Sequence, residues 1–277
     1  MTLYLTKSGP VVEYMGDYYR LSVPWDTLIN QFNLEKSLQS LIADREPLGM
    51  DYQQMAADLE VPIVRQELWA SGVTYFNSKL AREAESEATG GSTFYARVYE
   101  ADRPELFFKA TRHRCVPPGG TVRIRRDSAW NVPEPELTLV VNARAEIIGY
   151  TIGNDMSSRD IEGENPLYLP QAKTYDGCAS VGPGILLTNQ PLPSSTQIFL
   201  QVERDGQPVF TGQIGIDQMK RRPADLVKFL FAECSFPHGV LLMTGTGIVP
   251  DSGFSLRRAD VIRISIDGLG TLVNTVG

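Results

Sequence analysis

A mostly β, α+β fold is predicted by three features of the chain. Short extended runs follow one another after residue 94, turn residues separate them, and a single strong helix interrupts the series. The first 70 residues mix short strands with helical segments and read as a small N-terminal α/β region. Its clearest helix spans 34–43, where Leu34, Leu38, Leu41 and Ile42 recur at helical spacing behind Asn33, a residue type that caps helix starts. Residues 79–90 (KLAREAESEATG) combine good helix formers with a thin apolar stripe ahead of Gly90-Gly91, as in an exposed, mobile helix or lid.

Strands are predicted at 121–126, 137–141, 146–152, 184–188, 197–204, 208–213, 239–243, 261–266 and 271–276. Asp205-Gly206 and Asp267-Gly268 sit between extended runs as short hairpin connections should, and Asn142 to Arg144 turns a third hairpin. The one strong helix begins near Pro223, suited to a first helical position because the N–H it lacks would be unpaired there. That helix buries Leu226, Val227, Phe229 and Leu230 and stops ahead of Pro237. The expected division is a small region over 1–70 and a β-rich domain over 71–277.

Composition narrows the function. At 277 residues, with 42% hydrophobic and 21% charged residues, the chain can bury a large core and reads as an ordinary globular protein. A net charge of -7 repels a phosphate backbone, and Lys and Arg are scattered without aromatic platforms, which argues against nucleic acid as a partner. No stretch approaches the roughly 18 apolar residues that span a bilayer, so no membrane association is expected. Cys115, Cys178 and Cys234 are odd in number and form no Cys-x-x-Cys pair; buried thiols in the cytoplasm fit that pattern.

The segment WNVPEPEL, residues 130–137, carries the strongest chemical signal. Pro133 and Pro135 keep the backbone extended, and in a strand residues i and i+2 share a face. Glu134 and Glu136 then project together, roughly 6 to 7 Å apart, a span one hard cation bridges. A solvated edge strand protected by prolines fits the same spacing. In GYTIGNDMSSRD (149–160) an apolar strand runs into a polar turn, placing Asp155 at the strand's end as a third oxygen ligand. If the turn at 142–144 pairs 137–141 with 146–152, Asp155 follows the strand beside Glu136. Three carboxylates without nearby His or Cys select Mg2+, Mn2+ or Ca2+ over Zn2+, with Mg2+ favoured by availability.

Lys173, in YLPQAKTYDG, falls in a loop of Pro, Gln, Thr and Gly residues. It can be a plain solvated lysine, a charge for a substrate carboxylate, a base, or an imine former. Glu105 and Lys109 flank the apolar pair of PELFFKATRHR (104–114), where a surface salt bridge suffices to explain them. The glycines of TGTGIVP (244–250) suit either anion binding by backbone N–H groups or a tight turn after a buried strand. His113 and His238 are the only histidines, and no Ser-His-Asp or Cys-His arrangement can be assembled from them.

Taken together, WNVPEPEL, GYTIGNDMSSRD, ENPLYLPQAKTYDGC, SVGPGI and TGTGIVP resemble the fumarylacetoacetate hydrolase superfamily over residues 65–276. RPELFFKATRHRCV and ENPLYLPQAKTYDGC are most similar to its 2-keto-3-deoxy-D-arabinonate dehydratase branch. The resemblance implies a β-rich fumarylacetoacetate-hydrolase fold over 71–277, Mg2+ on Glu134, Glu136 and Asp155, and catalytic roles for Lys173 and Glu105. It further implies substrate contacts from Thr246 and from the backbone of Ser71, Gly72, Val73 and Thr74, and a homodimer or homotetramer. The hydrolytic branch activates water with a His–Glu dyad near the start of this domain, but residues 65–100 contain no histidine. The expected activity is therefore dehydration of a 2-keto-3-deoxy sugar acid, a pentonate first, to 2,5-dioxopentanoate. Hydrolysis of acylpyruvates or an oxaloacetate-type decarboxylation is the alternative. Lys173 and Glu105 share the proton transfers, in either order.

Overall fold

The computed structural model describes residues 1–85 and 92–277. In the N-terminal region, strands β1 (Thr2–Thr6), β2 (Gly9–Tyr14) and β3 (Asp17–Arg20) are followed by helices α1 (Trp25–Ile29), α2 (Leu34–Ile42) and α3 (Tyr52–Ala56). Helix α2 buries Leu34, Leu38 and Ile42, matching the apolar spacing; Asn33, in the left-handed region, makes no side-chain cap. Next come β4 (Glu67–Gly72), α4 (Phe76–Glu85), α5 (Ser92–Glu100), β5 (Glu105–Ala110), β6 (Cys115–Val116) and β7 (Thr121–Val122). The strand expected over 121–126 shrinks to those two residues. Of the expected mobile helix, 79–85 close α4, and 86–90 lie outside the described residues.

A long hairpin, β8 (Asn131–Val141) and β9 (Ile147–Ser158), leads to α6 (Arg159–Glu164), α7 (Leu169–Lys173) and β10 (Ala179–Leu187). Last come β11 (Gln197–Arg204), β12 (Gln207–Gly215), α8 (Pro223–Leu230), β13 (Val240–Met243), β14 (Val261–Ile266) and β15 (Gly270–Val276). The protein is mostly β, 37% strand against 23% helix. Ten strands form one sheet with the path β3-β2-β1-β10-β9-β8-β13-β4-β5, β6 pairing with β10; five form a second, β12-β11-β14-β15-β7. The N-terminal hairpin thus extends the large sheet through β1 and β10.

Alternation along β8 sorts its two faces. Leu137, Leu139 and Val141 pack into a core shared with Ile198, Leu200, Ile262 and Ile264 of the small sheet and Leu226 of α8. Val140 faces the other way, into a second core with Trp25, Leu28, Leu38, Leu241 and Met243. Glu134, Glu136 and Thr138 continue the row of Val140 beyond that core. All eleven residues of β8 are buried, which explains why hydrophobic alternation alone found only its second half.

Strand β13 covers β8 only from Thr138 to Val141. Pro133 and Pro135 therefore lie where β8 has a single neighbour, β9, and their missing N–H groups cost no ladder bonds on the open side. That open edge is where the site forms.

Candidate metal and proton-transfer site

The β8–β9 register assembles the acidic cluster. The turn at 142–144 pairs Leu137 with Ile152, so Glu134 falls directly opposite Asp155 and Glu136 opposite Gly153. Residues paired across antiparallel strands point to the same face. Glu134, Glu136 and Asp155 consequently offer oxygens that all lie within 4.8 Å of one another, each buried. Asp155 belongs to the interior of β9, which runs on to Ser158, and not to a turn beyond a shorter strand. Gly153 leaves room opposite Glu136: a Cβ there would meet Thr138 Oγ1 at 2.4 Å.

Glu134 is held by cations. Lys173 Nζ lies 2.7 Å from Glu134 Oε2, Arg159 Nη2 2.8 Å and Arg82 Nη2 3.4 Å from Oε1. Burial favours the neutral carboxyl, but Lys173, Arg159 and Arg82 outweigh it and hold Glu134 well below the usual carboxylate range. Glu136 behaves oppositely. Burial, then the negative charges of Asp155 and Glu134, push its carboxyl well above the ordinary range, although Gly245 N–H donates to Oε2 at 2.5 Å. Repulsion of this kind is what a hard cation relieves, and an all-carboxylate donor set suits Mg2+, Mn2+ or Ca2+.

Lys173 is neither in a loop nor solvated. It ends α7, is buried, and donates to Glu134, to Asp155 Oδ2 at 3.0 Å and to Ser157 Oγ at 2.6 Å. Lys109 departs from its surface reading even further. Fully buried, it pairs with Asp155 Oδ1 at 2.5 Å and donates to the carbonyls of Met156 and Lys173, clamping the end of α7 to β9. Neither role is visible in the spacing of the sequence.

Glu105 projects from β5 and sits beside Gly72, its cross-strand partner. The residue is half-buried overall, yet its carboxyl is enclosed against the Gly72 backbone, and burial raises it above the ordinary glutamate range despite Arg82 and Lys173. Ser71, Gly72, Val73, Glu105, Lys173 and Thr246 line one narrow cavity of about 20 Å³, room for about one water. Thr74 lies outside that lining; its hydroxyl donates to Thr244 O at 2.7 Å. Val73 has φ 52°, a left-handed conformation costly for a β-branched residue, so the surrounding turn imposes it. Gly245, at φ +91°, could carry no Cβ, which would meet Thr74 Oγ1 at 2.1 Å.

Arg82 of α4 and Arg159 and Glu162 of α6 also belong to the site, and the sequence pointed to none of them. Only their places in otherwise polar helices, close to the motifs, could have raised interest. Neither His113 nor His238 lines the cavity. A larger concavity, about 1180 Å³, opens elsewhere, against Tyr52, Phe199 and Thr211, with Arg263 as the charged residue among its described lining.

A profile of the fumarylacetoacetate (FAA) hydrolase C-terminal family matches residues 69–277. The chain belongs to the fumarylacetoacetate hydrolase family. Among relatives in that family, a Haloferax volcanii protein named "Probable 2-keto-3-deoxyxylonate dehydratase" is 46% identical over 217 residues, 78% of this chain and 74% of that protein. The 2-dehydro-3-deoxy-D-arabinonate dehydratase of Saccharolobus solfataricus is 40% identical over 240 residues, covering 82% and 80%. A solved structure of 2-keto-3-deoxy-D-arabinonate dehydratase complexed with magnesium and 2,5-dioxopentanoate superposes with a TM-score of 0.83 at 34% identity, covering 100% of this chain and 98% of that one. The fumarylacetoacetate-hydrolase fold expected from the motifs is the fold observed.

Proposed function

We propose that this chain is a Mg2+-dependent hydro-lyase that converts a 2-keto-3-deoxy pentonate to 2,5-dioxopentanoate. The observation that carries the proposal is the buried trio of Glu134, Glu136 and Asp155 with Lys173 beside it and Glu105 across the same cavity, where no histidine is present to activate water. The relatives named as dehydratases of 2-keto-3-deoxy sugar acids support the same substrate class. A divalent cation held by the trio would polarise the 2-oxo group and so make a C3 proton removable.

The chain's own groups then divide the proton work. Lys173 Nζ, an ammonium anchored at Glu134 and Asp155, is assigned to the C4 hydroxyl, to which it donates the proton with which that group leaves as water. Glu105, whose enclosed carboxyl is raised above the ordinary glutamate range and is therefore a stronger base when ionised, takes the C3 proton. The C3–C4 double bond so formed moves to C4–C5 when a proton passes from C5 to C3, and the resulting enol becomes the C5 aldehyde. Atoms balance with loss of one water. The backbone of Ser71 to Val73, strained at Val73, and Thr246 contact the substrate.

We also place the protein in the cytoplasm, as a homodimer or homotetramer, with a division between the N-terminal region and the catalytic domain near residue 70. The test is a panel of 2-keto-3-deoxy acids, acylpyruvates and oxaloacetate assayed with and without Mg2+. Aldehyde formation from 2-keto-3-deoxy pentonates should exceed turnover of the others; faster acylpyruvate cleavage or oxaloacetate decarboxylation would overturn the reading.

A further inference from the structure

Glu162 has no part in the chemistry above, yet it is buried at the centre of the site's charges. Glu134 and Glu162 share the same three cations. Lys173 Nζ is 2.7 Å from Glu134 and 3.5 Å from Glu162 Oε1. Arg159 is 2.8 Å from Glu134 and, through Nε, 3.9 Å from Glu162 Oε2. Arg82 is 3.4 Å from Glu134 and in direct contact with Glu162. Among the described residues, neither oxygen of Glu162 accepts a hydrogen bond of good geometry, and its contacts are ion pairs. It stands on α6, outside the two strands that carry the acidic trio.

This arrangement poses a problem of competition. A divalent cation on Glu134 meets an ammonium and two guanidinium groups already seated there, and like charges repel strongly in a buried site. The three cations cannot simply be left without a counter-charge, because an unpaired buried charge is costly. Each of them already touches Glu162 as well.

We propose that Glu162 is a positioning residue that takes over Lys173, Arg159 and Arg82 when a divalent cation occupies Glu134. Glu162 thereby keeps the three cations from competing for a metal ligand and holds Lys173 Nζ beside the substrate. The inference rests on the reading of Glu134, Glu136 and Asp155 as a metal site.

Calorimetric titration of the substrate-free protein with MgCl2 tests it. Glu162→Gln should weaken Mg2+ binding by about ten- to a hundredfold, the usual cost of losing a residue that orients metal ligands. Glu162→Asp, which keeps the charge on a shorter stem, should fall between that variant and the parent. Adding Arg82→Met to Glu162→Gln removes one competing cation and should recover part of the affinity; a purely structural role predicts no such recovery. Equal Mg2+ affinity in parent and both Glu162 variants overturns the proposal. If circular dichroism shows Glu162→Gln unfolded, Glu162→Asp against the parent decides by the same criterion. A parent that binds no Mg2+ overturns the metal-site reading itself, and this inference with it.

Discussion

The carboxyl of Glu105 rests against Gly72: a Cβ on Gly72 would come within 2.1 Å of Glu105 Oε2 and 2.6 Å of Cδ. The two residues face each other across β4 and β5, so the glycine creates the place where the carboxyl sits. Gly72 does not have a positive φ, and alanine there is acceptable to the backbone. Gly72→Ala should therefore leave the circular dichroism spectrum unchanged and lower kcat by about a hundredfold, the scale expected for a catalytic group displaced by an ångström. Adding Glu105→Gln should cost little more, because both changes remove the same function. A Gly72→Ala enzyme with parental kcat would remove Glu105 from the mechanism.

Glu136 carries the charge least favoured in the metal-free site, lifted by burial and by Asp155 and Glu134. Glu136→Gln should stay folded, with a metal-free melting temperature no lower than the parent's. Its Mg2+ affinity should drop on the order of tenfold or more, since carboxylate count tunes such sites. Calorimetry showing equal affinity in variant and parent would dismiss Glu136 as a ligand.

Lys173 uses its three donors on Glu134, Asp155 and Ser157. An imine at the 2-oxo carbon would already supply an electron sink and make the acidic trio redundant. Borohydride added during turnover should leave Lys173 unmodified in a peptide map, and EDTA should abolish activity that Mg2+ restores. A mass increase on Lys173 equal to reduced substrate, together with turnover resistant to EDTA, would reverse this assignment.

Far from the site, Asp26 ties α1 to the start of β4. It accepts from Gln66 Nε2 at 2.8 Å and pairs with Arg65, while Gln66 also donates to His238 O at 2.8 Å. Burial raises the Asp26 carboxyl, but the hydrogen bonds from Arg65 and Gln66 prevail and hold it below the ordinary 3.8. The stabilisation is therefore fully present above that value and fades as pH falls through the lower, folded-state value. Asp26→Asn should cost about 1 to 2 kcal/mol at neutral pH in urea unfolding, with the gap narrowing in acid. A gap that is constant or wider in acid would contradict the assignment.

Local chemistry alone determined a good part of this protein. Strand periodicity placed Glu134 and Glu136 on one face, the turn at 142–144 brought in Asp155, and Asp205-Gly206 and Asp267-Gly268 set two further hairpins. These features depend on residues close in sequence, where backbone geometry leaves few choices. The surroundings of the acidic trio were decided elsewhere. Lys109 reaches Asp155 from β5, Arg82 reaches Glu134 from α4, and Glu162 gathers three cations that belong to separate helices. In sequence each looks like an ordinary charge on a polar segment. Whether such a charge is solvated or sealed in a buried network depends on which distant elements pack over it, and no local periodicity records that long-range exclusion of water.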